Sequence, residues 1–244
     1  MNVNEYRRLR YESLRSADQS RRICLTCRKP LVTCYCSRIR SFDSKPRFVI
    51  LIDPLEANRS VATGRMAHLC LSNSLMIEGV EFSADDQVNS IINDHHCYSV
   101  LLYPKASAIN LSDITRGRQL TVFPSNRELV IFVIDSTWRT ARKVIKRSEN
   151  LQRLPAVCFT PLKPSNFRIR KQPDLKYYST IEAIHYVLDI LGEYDHGTDS
   201  RPHDNLMEIV NFMINQQLKY MAKNNKEKII STLSYPCAYP HDKV

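Results

Sequence analysis

Short apolar runs alternate along the chain with stretches in which apolar residues recur every three or four positions. The runs Phe48 to Ile52, Val100 to Tyr103, Leu129 to Asp135 and Val157 to Phe159 each stop at a proline or a polar residue, as buried strands do. Between them, Arg59 to Ser74 reads as a helix with Val61, Met66, Leu69 and Leu71 at apolar positions and Gly64 interrupting it. Trp138 to Ser148 reads as a second helix, with Trp138, Ala141 and Ile145 spaced for one face and Arg139, Arg142, Lys143, Lys146 and Arg147 filling the others. A third starts at Ser179, where Ser-Thr-Ile-Glu matches a capping box, and its stripe is Ile181, Ile184, Leu188 and Leu191. Tyr194 to Asp204 has the composition of a linker, and a last amphipathic helix carries Leu206, Ile209, Val210, Met213, Ile214 and Met221. This alternation predicts an α/β domain on a largely parallel sheet.

A chain of 244 residues suffices for one such domain plus a small module. The expected division is a basic N-terminal segment over 1–40, a catalytic domain over 41–193 and a linker with a C-terminal helix over 194–244. No apolar run approaches the roughly 20 residues of a spanning helix, so no membrane partner is expected, and no protein partner is evident. The opening residues mix Arg7, Arg8, Arg10 and Arg15 with Glu5, Glu12 and Asp18 and lack the apolar core of a secretory signal. A cytoplasmic protein with reduced cysteines is the expectation.

The net charge of +10 is unevenly placed. Residues 1–40 hold 10 Lys/Arg against 3 Asp/Glu, and residues 139–176 hold 11 against 2, which leaves the rest of the chain net acidic. Two basic segments on an acidic background suggest a face for a polyanion, with a merely solvated surface as the plainer alternative.

Cys24, Cys27, Cys34 and Cys36 fall within 13 residues. Two close pairs on short turns have the spacing of a tetrahedral four-thiolate site, and four thiolates leave no open position, so a structural zinc is expected. An iron–sulfur cluster uses the same number of cysteines, and incidental thiols are the other alternative. Cys70, Cys97, Cys158 and Cys237 stand alone in the sequence and fit small packing residues. Only five glycines occur, which rules out a glycine-rich dinucleotide turn or a P-loop.

A set of motifs runs in order along the chain: the cysteine cluster, Asp53-Pro-Leu-Glu56, Thr63-Gly-Arg65, Leu101-Leu-Tyr-Pro104, Asp135-Ser-Thr-Trp138 with Ala141-Arg-Lys143, Leu154-Pro155, Ile169-Arg-Lys-Gln-Pro173 and Ser179-Thr-Ile-Glu-Ala183. With these the sequence resembles the DTW-domain family of tRNA-uridine aminocarboxypropyltransferases across roughly residues 22 to 190. Two departures stand out: Asp53 where the family usually has His, and Ser136 where it has Gly.

The resemblance implies a SPOUT-related sheet with a C-terminal trefoil knot, S-adenosylmethionine as group donor and tRNA as acceptor. It implies attack by a uridine N3 on the methylene carbon of the donor's amino-acid chain, with methylthioadenosine leaving. On this reading Asp135, Thr137 and Trp138 are the catalytic residues, Asp135 serving as base or as the group that orients it, with a helix cap as its plain structural role. Leu102, Tyr103, Pro104, Leu154, Ser179 and Thr180 would hold the donor. Glu56, Arg59, Thr63, Arg65, Arg142, Lys143, Ser165, Arg168, Arg170 and Lys171 would meet the uridine or the tRNA. The rival readings are a SPOUT-like RNA methyltransferase, a ribosomal RNA enzyme with the same chemistry and a non-catalytic zinc-containing RNA-binding protein.

Overall fold

The structure, a computed structural model, describes residues 22–57, 61–114, 119–167, 177–192 and 201–224. Arg59, Arg168, Arg170 and Lys171, the basic residues up to 21, Cys237 and most of the linker lie outside the described residues.

Among the described residues, six strands form one sheet: β1 (Arg47–Ile52), β2 (Leu75–Glu78), β3 (Cys97–Leu102), β4 (Ile109–Asn110), β5 (Glu128–Asp135) and β6 (Ala156–Cys158). Every pairing is parallel, in the order β2-β1-β5-β3-β6-β4. The longest strand, β5, lies centrally between β1 and β3, where the order of connection reverses. The helices are α1 (Pro54–Ala57), α2 (Thr63–Cys70), α3 (Asp86–Asn93), α4 (Trp138–Arg147), α5 (Glu149–Arg153), α6 (Thr180–Leu191) and α7 (Asp204–Asn224).

The strands are apolar on both sides because both faces are covered, as a parallel sheet requires. Ile131 and Val133 of β5 join Phe48, Ile50 and Val100 in a core shared with α2, α6 and α7. Val130 and Phe132 point the other way, into a core shared with Val88 of α3, Val144 of α4 and Leu151 of α5. Period-two alternation along β5 thus divides the molecule into helix, sheet and helix layers. Among the described residues, no helix is long and apolar enough to cross a membrane.

The four strands expected from the apolar runs are all present, each within three residues of its expected start. β2 and β4 were not expected: β2 is an edge strand in which only Ile77 is buried, and β4 has two residues. Helix α3, set by Asp85 accepting from Val88 N at 2.9 Å, was also unforeseen at eight residues. The helix expected to run to Ser74 ends at Cys70, where Leu71 bridges to Phe42 and the Ser74 hydroxyl donates to the Leu71 carbonyl.

The cysteine segment is packed into the first core. Cys27 and Tyr35 are 3% and 1% exposed within the cluster formed by α2, α6 and α7. Asn205 at the start of α7 accepts from Arg40 N and donates to the Arg38 carbonyl, and the Arg38 guanidinium lies 4.4 Å from the Phe212 ring centre.

Candidate functional site

In a parallel sheet the carboxyl ends of all strands open on one side, and ligands bind where the strand order reverses. That edge is occupied here by a cavity of about 490 Å³. Residues at or just past the ends of four strands bound it: Glu56 after β1, Leu102 to Pro104 at the end of β3, Asp135 to Arg139 at the end of β5, and Cys158 and Phe159 at the end of β6. Phe167 and the stretch Tyr177 to Thr180 close it from the far side. Its volume falls in the roughly 300–1,000 Å³ range of small-molecule sites.

Asp135 is the polar centre of the wall. It is 6% exposed, and its Oδ1 accepts from Thr180 Oγ1 at 2.6 Å and Thr63 Oγ1 at 3.3 Å while Oδ2 accepts from Gly64 N at 2.9 Å. One carboxylate therefore joins the first turns of α2 and α6 to the tip of β5. Burial pushes the Asp135 carboxyl above the usual range, the hydrogen bonds from Thr180 and Gly64 oppose it, and the nearby Glu56 carboxylate reinforces it.

Gly64 does not break α2. A Cβ on it would lie 2.5 Å from Asp135 Oδ2, so the missing side chain is what lets the helix start reach the carboxylate. Asp53 starts α1: its Oδ1 accepts from Leu55 N at 2.8 Å and its carbonyl from Ala57 N. An aspartate performs this capping well.

Thr137 caps α4, its Oγ1 accepting from Thr140 N at 3.1 Å, and it lines the cavity. Trp138 also lines it, with its ring 4.5 Å from Tyr177 and 6.2 Å from Tyr103, centre to centre. At the α6 start the capping box is formed, Ser179 N and its hydroxyl both donating to Glu182 Oε2. Glu182 further accepts from Ser165 Oγ and Asn166 N, which fixes the loop leading to Phe167.

Leu102, Tyr103, Pro104, Ser179, Thr180, Glu56 and Thr63 thus meet in one cavity. Leu154 does not line it and is buried in the core on the opposite face of the sheet. Arg65 is half-buried, with a guanidinium nitrogen 3.5 Å from the Ala57 carbonyl, and Ser165, which does not line the cavity, donates to Glu182. Arg142 and Lys143 are exposed on α4 along with Arg139, Lys146 and Arg147, which makes that helix a basic outer surface beside the cavity mouth.

Tyr177, Tyr178, Phe159 and Phe167 line the cavity and were not anticipated. The first two precede the capping box directly, so an aromatic pair just before a helix start was the available signal. Phe159 closes the expected strand Val157 to Phe159 but falls just past the end of β6, and Phe167 lies in a proline-containing loop with no period to read.

Sγ of Cys24 lies 3.6 Å from that of Cys36, as does Sγ of Cys27 from that of Cys34, and all four sulfurs fall within 4.8 Å of one another. Four sulfurs placed tetrahedrally at about 2.3 Å from zinc stand roughly 3.8 Å apart, so the donor set fits that ion. Backbone N–H groups of Cys27 and Thr26 hold the Cys24 thiol at about 6, whereas burial pushes Cys27 and Cys36 up. The knuckle is closed by Arg28 N donating to the Cys24 carbonyl, with Arg28 in the left-handed region at φ 56°.

The DTW domain profile matches residues 21–218. The protein named tRNA-uridine aminocarboxypropyltransferase 2 in Drosophila melanogaster is 26% identical over 87% of this chain and 82% of its own length. Its namesakes in Mus musculus and Macaca fascicularis are 26% and 25% identical, each over 90% of this chain and 72% of their own length. No solved structure matches significantly.

Proposed function

The chain belongs to the DTW-domain family, and from that premise we propose that it transfers the 3-amino-3-carboxypropyl group of S-adenosylmethionine to N3 of a tRNA uridine. The carrying observation is that Asp135-Ser-Thr-Trp138, Tyr103-Pro104, Glu56, Thr63 and Ser179-Thr180, far apart in sequence, line a single cavity. The relatives' shared name supplies the reaction class.

A sulfonium donor makes each carbon attached to sulfur open to attack, so the protein must decide which carbon meets the acceptor. The apolar wall of Leu102, Tyr103, Trp138, Phe159 and Tyr177 suits the adenosine portion and keeps water from the sulfonium. The first turns of α4 and α6, with Arg139 on the rim, offer N–H groups and a cation to the donor's carboxylate. Asp135 takes the uracil proton or orients the group that does, and Trp138 bounds the space for the flipped base.

The tRNA backbone would run over the exposed cations of α4, including Arg142 and Lys143, and past the zinc knuckle with Arg22, Arg28 and Arg38. Arg59, Arg65, Arg168, Arg170 and Lys171 remain assigned to the same substrate on sequence grounds. The same proposal includes a SPOUT-type knot that would hold the donor bent, on the ground of the family resemblance alone.

Incubating the protein with unmodified tRNA and donor labelled in either the carboxyl or the methyl carbon tests this. Carboxyl label entering RNA is the expected result, and its loss in a folded Asp135→Asn variant supports the site. Methyl label instead would make the protein a methyltransferase, and neither label despite tRNA binding would make it an RNA-binding protein without this activity.

A further inference from the structure

A capping box asks one bond of its glutamate, from the N-cap N–H. Glu182 makes that bond and several more. We infer that it is a positioning residue for the donor, tying the loop that carries Phe167 to the start of α6 and so holding together two parts of the cavity wall; this rests on the donor-binding reading proposed above.

The two oxygens of Glu182 face different segments. Ser179 N donates to Oε2 at 2.8 Å and the Ser179 hydroxyl to the same oxygen at 2.7 Å, which is the cap. Asn166 N, 16 positions earlier, donates to Oε1 at 2.8 Å, and the Ser165 hydroxyl reaches Oε1 at 3.0 Å and Oε2 at 2.8 Å. The residue is 4% exposed, so these contacts are made away from competing water.

Glu182 and Ser165 do not line the cavity, but what they hold does. Phe167 lines it and donates its N–H to Ser165 Oγ at 3.1 Å. Ser179 and Thr180 line it as well, and Thr180 donates to Asp135 at the tip of β5. Hydrogen bonds therefore run without a gap from Phe167 through Ser165 and Glu182 to the α6 start and on to β5. A further tie, from the Tyr178 hydroxyl to the Lys163 carbonyl, lies on the exposed side of the loop, before Phe167.

The place demands a carboxylate. Each oxygen meets a backbone N–H, Asn166 N at Oε1 and Ser179 N at Oε2, and a backbone N–H cannot turn round to accept, as the serine hydroxyls can. Glutamine has the same shape but must set its NH2 against one of those two N–H groups, which frees either the loop or the helix start. Asp135 keeps its contacts with Thr63 and Gly64 in both cases. A wall that is loose before binding and re-forms around the donor costs ground state and transition state alike, so the loss falls on donor affinity rather than on the chemical step.

The test compares wild type with Glu182→Gln, Ser165→Ala and the double variant, reading S-adenosylmethionine binding by calorimetry and kcat for carboxyl-label transfer at saturating donor and tRNA. Glu182→Gln is expected to weaken donor binding by about tenfold or more while kcat stays within about threefold of wild type. Ser165→Ala is expected to weaken binding by about threefold or more, and the double variant to bind no more than about twofold more weakly than Glu182→Gln, because both changes cut the same tie. Donor binding by Glu182→Gln within about threefold of wild type, the pattern of a plain helix cap, would overturn the assignment and leave the transfer reaction standing. So would a loss in kcat as large as the loss in affinity, or losses that multiply in the double variant. If Glu182→Gln fails a thermal unfolding check, Ser165→Ala decides alone, and donor binding within about twofold of wild type then overturns the assignment. Wild type that binds donor but transfers no label would remove the proposed reaction while the affinities still decide the role of Glu182, and wild type that binds no donor would remove the reading on which that role rests.

Discussion

Gly64 and Asp135 are so close that a methyl group on the glycine would stand 2.5 Å from the carboxylate oxygen and 2.7 Å from its carbon. Gly64→Ala therefore sets two effects against each other. Alanine favours the helix by about 1 kcal/mol, and overpacking a buried site costs about 1–3 kcal/mol. The clash wins, because the atom struck is a buried carboxylate held on three sides. Stability is expected to fall by about 1–2 kcal/mol in urea denaturation, while donor binding by calorimetry falls at least tenfold. An alanine variant that binds donor normally would show that the contact is not part of the site.

The carboxyl of Asp135, raised first by burial, has a stability signature of definite sign. The unfolded chain ionises it near the ordinary 3.8, while the folded protein does so only at higher pH. Above 3.8 the folded state therefore holds a proton that the unfolded state has lost, so this group's contribution is full in acid and is lost as pH rises through the folded value. Asp135→Asn removes the titration and keeps the contacts, since the amide accepts from Gly64 N while Thr63 and Thr180 turn their hydroxyls to accept from its NH2. Relative to wild type, the asparagine variant is expected to gain stability as pH rises above about 4. A stability difference that does not change with pH in urea titrations would contradict this.

The sequence carries the sheet and the cavity floor more plainly than the rim. β5 is legible because it is a central strand, apolar on both faces, and its end coincides with the Asp-Ser-Thr-Trp motif. The capping box at Ser179 is legible because local hydrogen bonds between Ser179 and Glu182 dictate it. What cannot be read is set by distant partners. Gly64 looks like a helix break until Asp135 is placed against it, and Leu154 belongs to a motif while its side chain serves the opposite core. Cys27 and Tyr35 look like parts of a separate module because the core they join is completed by residues of α7, more than 160 positions on.

That burial bears on the metal. A zinc removed from a detached knuckle would unfold the knuckle alone, but Cys27 and Tyr35 lie in the core with α2, α6 and α7. Metal analysis is expected to give one zinc per chain. Chelation, or Cys27→Ser, is expected to lower the unfolding temperature of the whole protein by roughly 10 °C or more. An unchanged main transition after the metal is removed would mean that the core does not depend on the site, and a visible charge-transfer band would indicate iron in its place.

The outward face of α4 admits a test that leaves the core untouched. Arg142 and Lys143 are exposed beside the cavity mouth, so replacing both with alanine is expected to change stability by about 0.5 kcal/mol or less. If they meet tRNA phosphates, each phosphate neutralised contributes about 0.7–0.9 to the slope of log affinity against log salt. The double variant should bind tRNA more weakly at physiological salt, with a slope shallower by about 1.5 and donor binding unchanged. Filter binding over a salt series measures both quantities. Weaker binding with an unaltered slope would mean that the loss arises elsewhere than in phosphate contacts, and an unaltered affinity would move the tRNA path off this helix.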